Sequence, residues 1–111
     1  MIESAVRANG DLAGVFEYDG ETCYFYLVEA QDRGAGARVL DALLVLSGEP
    51  DFARNDVAVR WDGPQRAVGL FIRGRLWAVI ADSRAAHGGR YRPGSSPRVP
   101  EDVVREFAAG E

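Results

Sequence analysis

Three carboxylates stand two residues apart at Glu17, Asp19 and Glu21, and Thr22, Tyr24 and Tyr26 alternate directly behind them. Paired carboxylates can share a proton or hold a hard cation such as magnesium. Tyrosines at alternate positions can floor a ligand platform. Each signal also has a plainer origin. Asp19-Gly20 is a turn dipeptide, so the turn itself calls for Asp19. Glu17 and Glu21 fall on different faces of a strand pair centred there. The acids are read as turn and surface groups, with no metal ligand and no catalytic residue among them. Tyr24 and Tyr26, with Glu17 and a nearby arginine such as Arg92, make up the candidate ligand-binding set. A half-buried sheet face would produce the same alternation.

Two other residue types bear on chemistry. Cys23 lies among apolar positions and reads as a small buried hydrophobe, with nothing near it in sequence to lower its pKa. His87 is the one histidine and sits in a glycine- and arginine-rich stretch without a local carboxylate. One cysteine and one histidine exclude an internal disulfide and a zinc cluster, and leave most Ser-His-Asp schemes short of a partner. Arg84, Arg90, Arg92 and Arg98, interleaved with Tyr91, could meet phosphate or RNA. The glycines beside them match no phosphate-loop fingerprint, and no cofactor is expected. A surface segment lying on acidic residues of the same fold is the preferred reading of 84–98.

The elements that must position these residues follow from period and turn chemistry. Val15–Tyr18 and Thr22–Val28 form a hairpin about Asp19-Gly20, with Phe16, Cys23, Phe25 and Leu27 on its core face. Gln31–Gly36 is a polar loop. Ala37–Ser47 reads as a helix, with Gly48 as its cap and Pro50 as its stop. Val57–Asp82 reads as three strands joined at Asp62–Gln65 and at Arg73-Gly74, the first alternating Val57, Val59 and Trp61 with Ala58, Arg60 and Asp62. That register puts Val57, Val59, Trp61, Val68, Leu70, Trp77 and Val79 on one face, packed on the helix. Ala58, Arg60, Ala67, Gly69, Phe71, Leu76, Ala78 and Ile80 share the other face. Residues 83–100 are irregular, and 101–109 form a short terminal helix with acids in its first turn. The expected fold is a single α+β domain over 1–111, a mainly antiparallel sheet of about five strands on one central helix.

Some of these residues carry a resemblance. Gly14-Val15-Phe16-Glu17, Asp19-Gly20-Glu21-Thr22 and Tyr24-Phe25-Tyr26 resemble the glycine-acid hairpin of a bacterial family known as domain of unknown function 2251. Val39-Leu40-Asp41-Ala42-Leu43 is similar to the Leu-Asp-Ala-Leu segment that follows it there. Trp61, Ala67–Ile72, the Arg73-Gly74 turn and the Ala78-Val79 strand continue the order, so the resemblance spans about residues 13–92. The chain departs from the family at Cys23, where glycine is usual, and at Leu44-Val45-Leu46, where a His-Ile-Tyr-like run is frequent. The resemblance implies bacterial origin and architecture. It carries over no catalytic residue.

Charge and composition narrow the function. Seventeen acids against thirteen bases leave a net charge of −4, which disfavours nucleic acid as the main partner. All the bases are arginine, and with sixteen alanines this reads as a GC-rich genome. Residues 1–56 carry a net −7, residues 57–98 a net +6 and the tail −3. No apolar run approaches the ~20 residues of a membrane span, and the first ten residues have no secretory pattern, so a cytoplasmic protein without a membrane partner is expected. The second sheet face needs a cover that 83–100 is too polar to supply. The expectation is therefore a small non-catalytic domain acting by protein contact, with itself as a homodimer or with another protein, through Ala58, Gly69, Phe71, Leu76 and Ile80. The rivals are a ligand binder or enzyme built on Tyr24, Tyr26, Glu17 and Arg92, and nucleic-acid binding through 84–98.

Overall fold

The computed structural model describes residues 1–30 and 38–109. Among these residues eight strands form two antiparallel four-stranded sheets, each in sequence order. The first sheet holds β1 (Ile2–Val6), β2 (Leu12–Tyr18), β3 (Thr22–Glu29) and β4 (Val39–Ser47). The second holds β5 (Val57–Trp61), β6 (Ala67–Ile72), β7 (Arg75–Ala81) and β8 (Ala86–Gly88). A short 3-10 turn, Arg54–Asp56, precedes β5, and the helix α1 (Glu101–Ala109) ends the described chain. The two sheets close on one core. Phe16, Phe25, Leu27 and Val45 enter it from the first, and Val68, Leu70, Ile72, Ala78 and Ile80 from the second. The α+β expectation with a central helix is therefore corrected to a two-sheet sandwich with one terminal helix.

The correction turns on residues 39–47. Val39 to Leu46 is almost continuously apolar, a run that suits a buried helix or a strand. β3 decides between them, because an open strand edge leaves a row of backbone groups without partners. β4 pairs along it from Val28↔Val39 to Thr22↔Ser47. Bulges between Cys23 and Tyr24 and between Leu27 and Val28 absorb the mismatch, and Val45 is left fully buried. Gly48, expected as a helix cap, instead adopts φ 95° and its N–H donates to the Glu21 carbonyl at 2.7 Å. Ala37 and the loop expected at Gln31–Gly36 lie outside the described residues.

The first hairpin keeps its faces and shifts its turn. Phe16 pairs with Phe25 and Tyr18 with Cys23, so the two central residues are Gly20 and Glu21. Gly20 carries the positive φ, 101°, that a turn of this kind needs at its first central position. Asp19 precedes the turn, and its carboxylate accepts the N–H groups of Glu21 and Thr22, both at 2.8 Å. Moving the turn by one residue changes each pairing by two, and the side-chain period of two preserves the core face. Gly14, on the same face, must lack a side chain, since a Cβ there would collide with Val68 across the core.

The second sheet follows the expected turns, with one inversion. Asp62 is buried and its Oδ1 accepts the N–H groups of Arg66 and Ala67. Arg73 and Gly74 both have positive φ, 52° and 79°, as a tight two-residue hairpin requires. The pairing slips between Leu70 and Phe71, which inserts an extra residue in β7. Beyond that bulge the parity of β7 reverses. Ala78 and Ile80 enter the inter-sheet core, while Val79 leaves the face expected for it and joins Phe71 and Leu76. Trp77 is buried between the sheets, and Trp61 is half-buried at the β5 edge with its indole N–H on the Ala5 carbonyl at 3.0 Å.

Cross-links seal the sandwich at both sides. Near β1 and β5, Arg7 grips Asp11 at 2.6 Å and Asp82 at 2.9 Å, donates to the Gln65 carbonyl and lies over the Trp61 ring. Near β4 and β8, the chain leaving β8 crosses from one sheet to the other. The Gly89 N–H bonds the Trp77 carbonyl, and the Tyr91 N–H bonds the Val45 carbonyl. The far face of the second sheet is covered by α1. Phe107 is buried edge-on against Phe71, with ring centroids 5.6 Å apart. Gly69 leaves its seat, since a Cβ there would lie 2.9 Å from the Phe107 ring.

Two outcomes follow. Phe107→Ala should lose about 3 kcal/mol in denaturant unfolding and raise binding of an apolar dye, because it empties a buried aromatic seat and bares Phe71. Unchanged stability and dye binding would place α1 elsewhere. The Arg7 hydrogen bond holds the Asp11 carboxyl below its usual range. A depressed folded pKa stabilises the fold above the unfolded value, and that part is lost as pH falls through the folded one. Arg7→Gln should therefore be less stable than the parent at pH ~7, with the gap narrowing as the pH drops below ~3.8 to what the Gln65 carbonyl and Trp61 contacts supply. A gap of undiminished size in acid would show that the Asp11 pair contributes nothing.

Candidate functional site

The outer face of the first sheet bears the alternating tyrosines. Glu17 pairs with Tyr24 and Val15 with Tyr26, all pointing away from the core face set by Phe16 and Phe25. Tyr24 and Tyr26 stack at 5.7 Å with their rings 17° from parallel. On β4, Leu44 lies opposite Tyr24 and Ala42 opposite Tyr26. On β1, Ile2 lies opposite Glu17 and Ser4 opposite Val15. Ile2, Val6 and Val39 are more than half exposed at the margins. Partial burial, then Glu17, push the Tyr26 phenol up, so it stays a hydrogen-bond donor at neutral pH. Among the described residues no helix or strand lies over this face.

The face expected to meet a second copy is differently placed. Phe71 and Leu76 are buried in a cluster with Val79 and Phe107, and Gly69 forms the seat of Phe107. Ile80 is in the inter-sheet core, and Ala58 is exposed. These five residues do not form one free surface. The reason is a cover that follows the polar stretch: Val99, Val103 and Phe107 supply the apolar contacts that 83–98 lacks.

Arg92 is not beside the tyrosines. It lines a groove of about 570 Å³ at the β8 edge, with Trp77, Gly88, Arg90, Ser95, Ser96 and Arg98. An adjoining hollow shares Trp77, Arg92, Ser95 and Ser96 and adds Arg73, Arg75 and Tyr91. The ligand set expected from sequence is thus split between two surfaces. Ser95 and Ser96 were not legible as site residues, although Pro93-Gly94 is a turn signal that places them beside the arginines. Arg84 takes a positive φ of 72° in the β7–β8 turn and does not line the groove.

The remaining candidates are structural. Cys23 is fully buried, and burial pushes its thiol up, away from the reactive thiolate. His87 pairs with Val79 in β8. Asp19 caps the hairpin, as described. Among the described residues no group of three or more His, Cys, Asp or Glu is placed to hold a metal ion. Among the same residues no helix is long and apolar enough to cross a membrane.

No curated protein and no solved structure matches the chain. A family described as an uncharacterized protein conserved in bacteria, DUF2251, matches residues 1–92. The matched region extends the resemblance seen in the hairpin and in Val39–Leu43 back to the first residue. It takes in all eight strands and the Tyr24/Tyr26 face, and stops before the Pro93-Gly94 turn and α1. On that match, the chain belongs to the DUF2251 family.

Proposed function

We propose that the protein is a non-catalytic contact domain of the bacterial cytoplasm that self-associates through the outer face of its first sheet. The observation that carries this is the aromatic face of Tyr24, Tyr26, Val15 and Leu44, over which no described helix or strand lies, set against a second sheet whose own outer face is covered by α1. Charge supports a second copy as the occupant. The first half is strongly acidic, but Glu3, Asp11, Glu29, Asp51 and Asp56 have arginine partners. Glu17 is the acid paired with this tyrosine face, so two such faces can meet about a two-fold axis with little repulsion. The phenols of each copy supply donors for Glu17 of the other. A four-stranded face of about seven residues per strand spans roughly 450 Å². Two of them total about 900 Å², below the ~1,200 Å² of stable specific interfaces, which predicts a weak, concentration-dependent dimer.

Sedimentation velocity tests this directly. The chain should pass from monomer to dimer between ~10 μM and ~1 mM, as a dissociation constant in that range requires. Tyr26→Glu should remain a folded monomer throughout, because it adds an acid beside Glu17 on each face and so places like charges at the contact. A parent chain that stays monomeric at the highest concentration, or a variant that dimerises as the parent does, would overturn the reading.

A further inference from the structure

The groove at the β8 edge concentrates positive charge. Arg90, Arg92 and Arg98 face it with Ser95 and Ser96. Arg7, Arg38, Arg54 and Arg73 each have a carboxylate partner, whereas among the described residues these three have none. The expectation that 84–98 lies on acidic residues of its own fold is therefore not met at the groove. Among the described residues no Asp or Glu lines it, so the side-chain charge they give it is positive.

The groove is built on fixed backbone. Tyr91 is buried, its N–H bonds Val45, and its hydroxyl donates to Asp51 at 2.7 Å. That anchor sets the chain between Arg90 and Arg92. One residue further on, Arg92-Pro93-Gly94-Ser95 closes a turn, with the Ser95 N–H on the Arg92 carbonyl at 3.1 Å and Gly94 at φ 77°. Proline followed by a positive-φ glycine is the sequence such a turn demands. Arg92 is thus held on both sides, and the two serines are carried next to it. Gly88 completes the floor, since any Cβ there would strike the Trp77 carbonyl.

We propose that this groove binds the phosphate groups of a small phosphorylated molecule carrying at least two phosphoryl charges. Guanidinium forks and hydroxyls are donors matched to phosphate oxygens, and their bonds are strengthened by charge. A groove of about 570 Å³ has the size of a small-molecule site. The net −4 of the chain and its acidic first half disfavour a long polyanion, which would have to lie across both. The site is on the second sheet and does not rest on the dimer proposed above.

Inorganic pyrophosphate is the probe. Calorimetry should show saturable one-to-one binding, with the amide resonances of Ser95 and Ser96 moving along the same titration. Arg92→Gln and Arg98→Gln together should weaken it by about tenfold or more, the scale of lost charge-assisted hydrogen bonds, with the unfolding midpoint unchanged. Arg66→Gln, outside the groove, should bind as the parent does. Absence of saturable binding, or equal binding by the double variant, overturns the proposal. A single-stranded RNA oligomer that binds far more tightly than pyrophosphate through the same residues overturns it in favour of a polymer site.

Discussion

The ring of Tyr91 stands edge-on to Trp77 at 4.7 Å and to Phe52 at 5.0 Å, and Phe52 in turn touches Phe16 of the first sheet. Its amide bonds β4, and its hydroxyl bonds the loop that leads into β5. Tyr91 alone, three residues past β8, therefore ties the second sheet to the first through three kinds of contact. Two four-stranded sheets in sequence order have no strand in common, so their registry depends on such ties and on the apolar core between them. The same residue fixes where Arg90 and Arg92 stand. Burial holds the Tyr91 phenol up in its neutral, donating form, which keeps its bond to Asp51 intact over the ordinary pH range.

The two outer faces meet water in opposite ways, and the difference traces to the tail. Phe71, Leu76 and Val79 would be a dewetted patch without α1. The family match ends before the turn that leads to that helix, so this cover lies outside the matched region. Among the described residues the first sheet has half-buried alternating tyrosines where the second has a helix. A tyrosine ring shields the sheet while its hydroxyl can meet water, a compromise aliphatic residues cannot make.

Much of this was legible locally. The period of two placed Phe16, Phe25 and Leu27 in the core even though the turn is one residue off, because that error leaves parity intact. Asp62, Arg73-Gly74 and the acidic start of α1 announced their elements through side-chain chemistry. What failed was decided at a distance. Val39–Leu46 fits either period, and only the open edge of β3 selects a strand. The bulge in β7 has no local signature, yet it turns Ile80 inward and Val79 outward. The candidate site shows the same division. Tyr24, Tyr26 and Glu17 share a face as alternation predicts, whereas Arg92 belongs to another surface because Tyr91 carries it there. Of the face expected to be an interface, Gly69, Phe71 and Leu76 lie under α1, a cover that begins after a polar stretch that gives no hint of it.

Amide hydrogen exchange at Tyr91 tests the central tie most directly. The account predicts that this amide, bonded to Val45 across the two sheets, is protected as strongly as the central strands β6 and β7, while its neighbours Arg90 and Arg92 exchange quickly. Fast exchange at Tyr91, at the rate of those neighbours, would contradict it, and would remove both the closure of the sandwich and the fixed backbone on which the arginine groove is built.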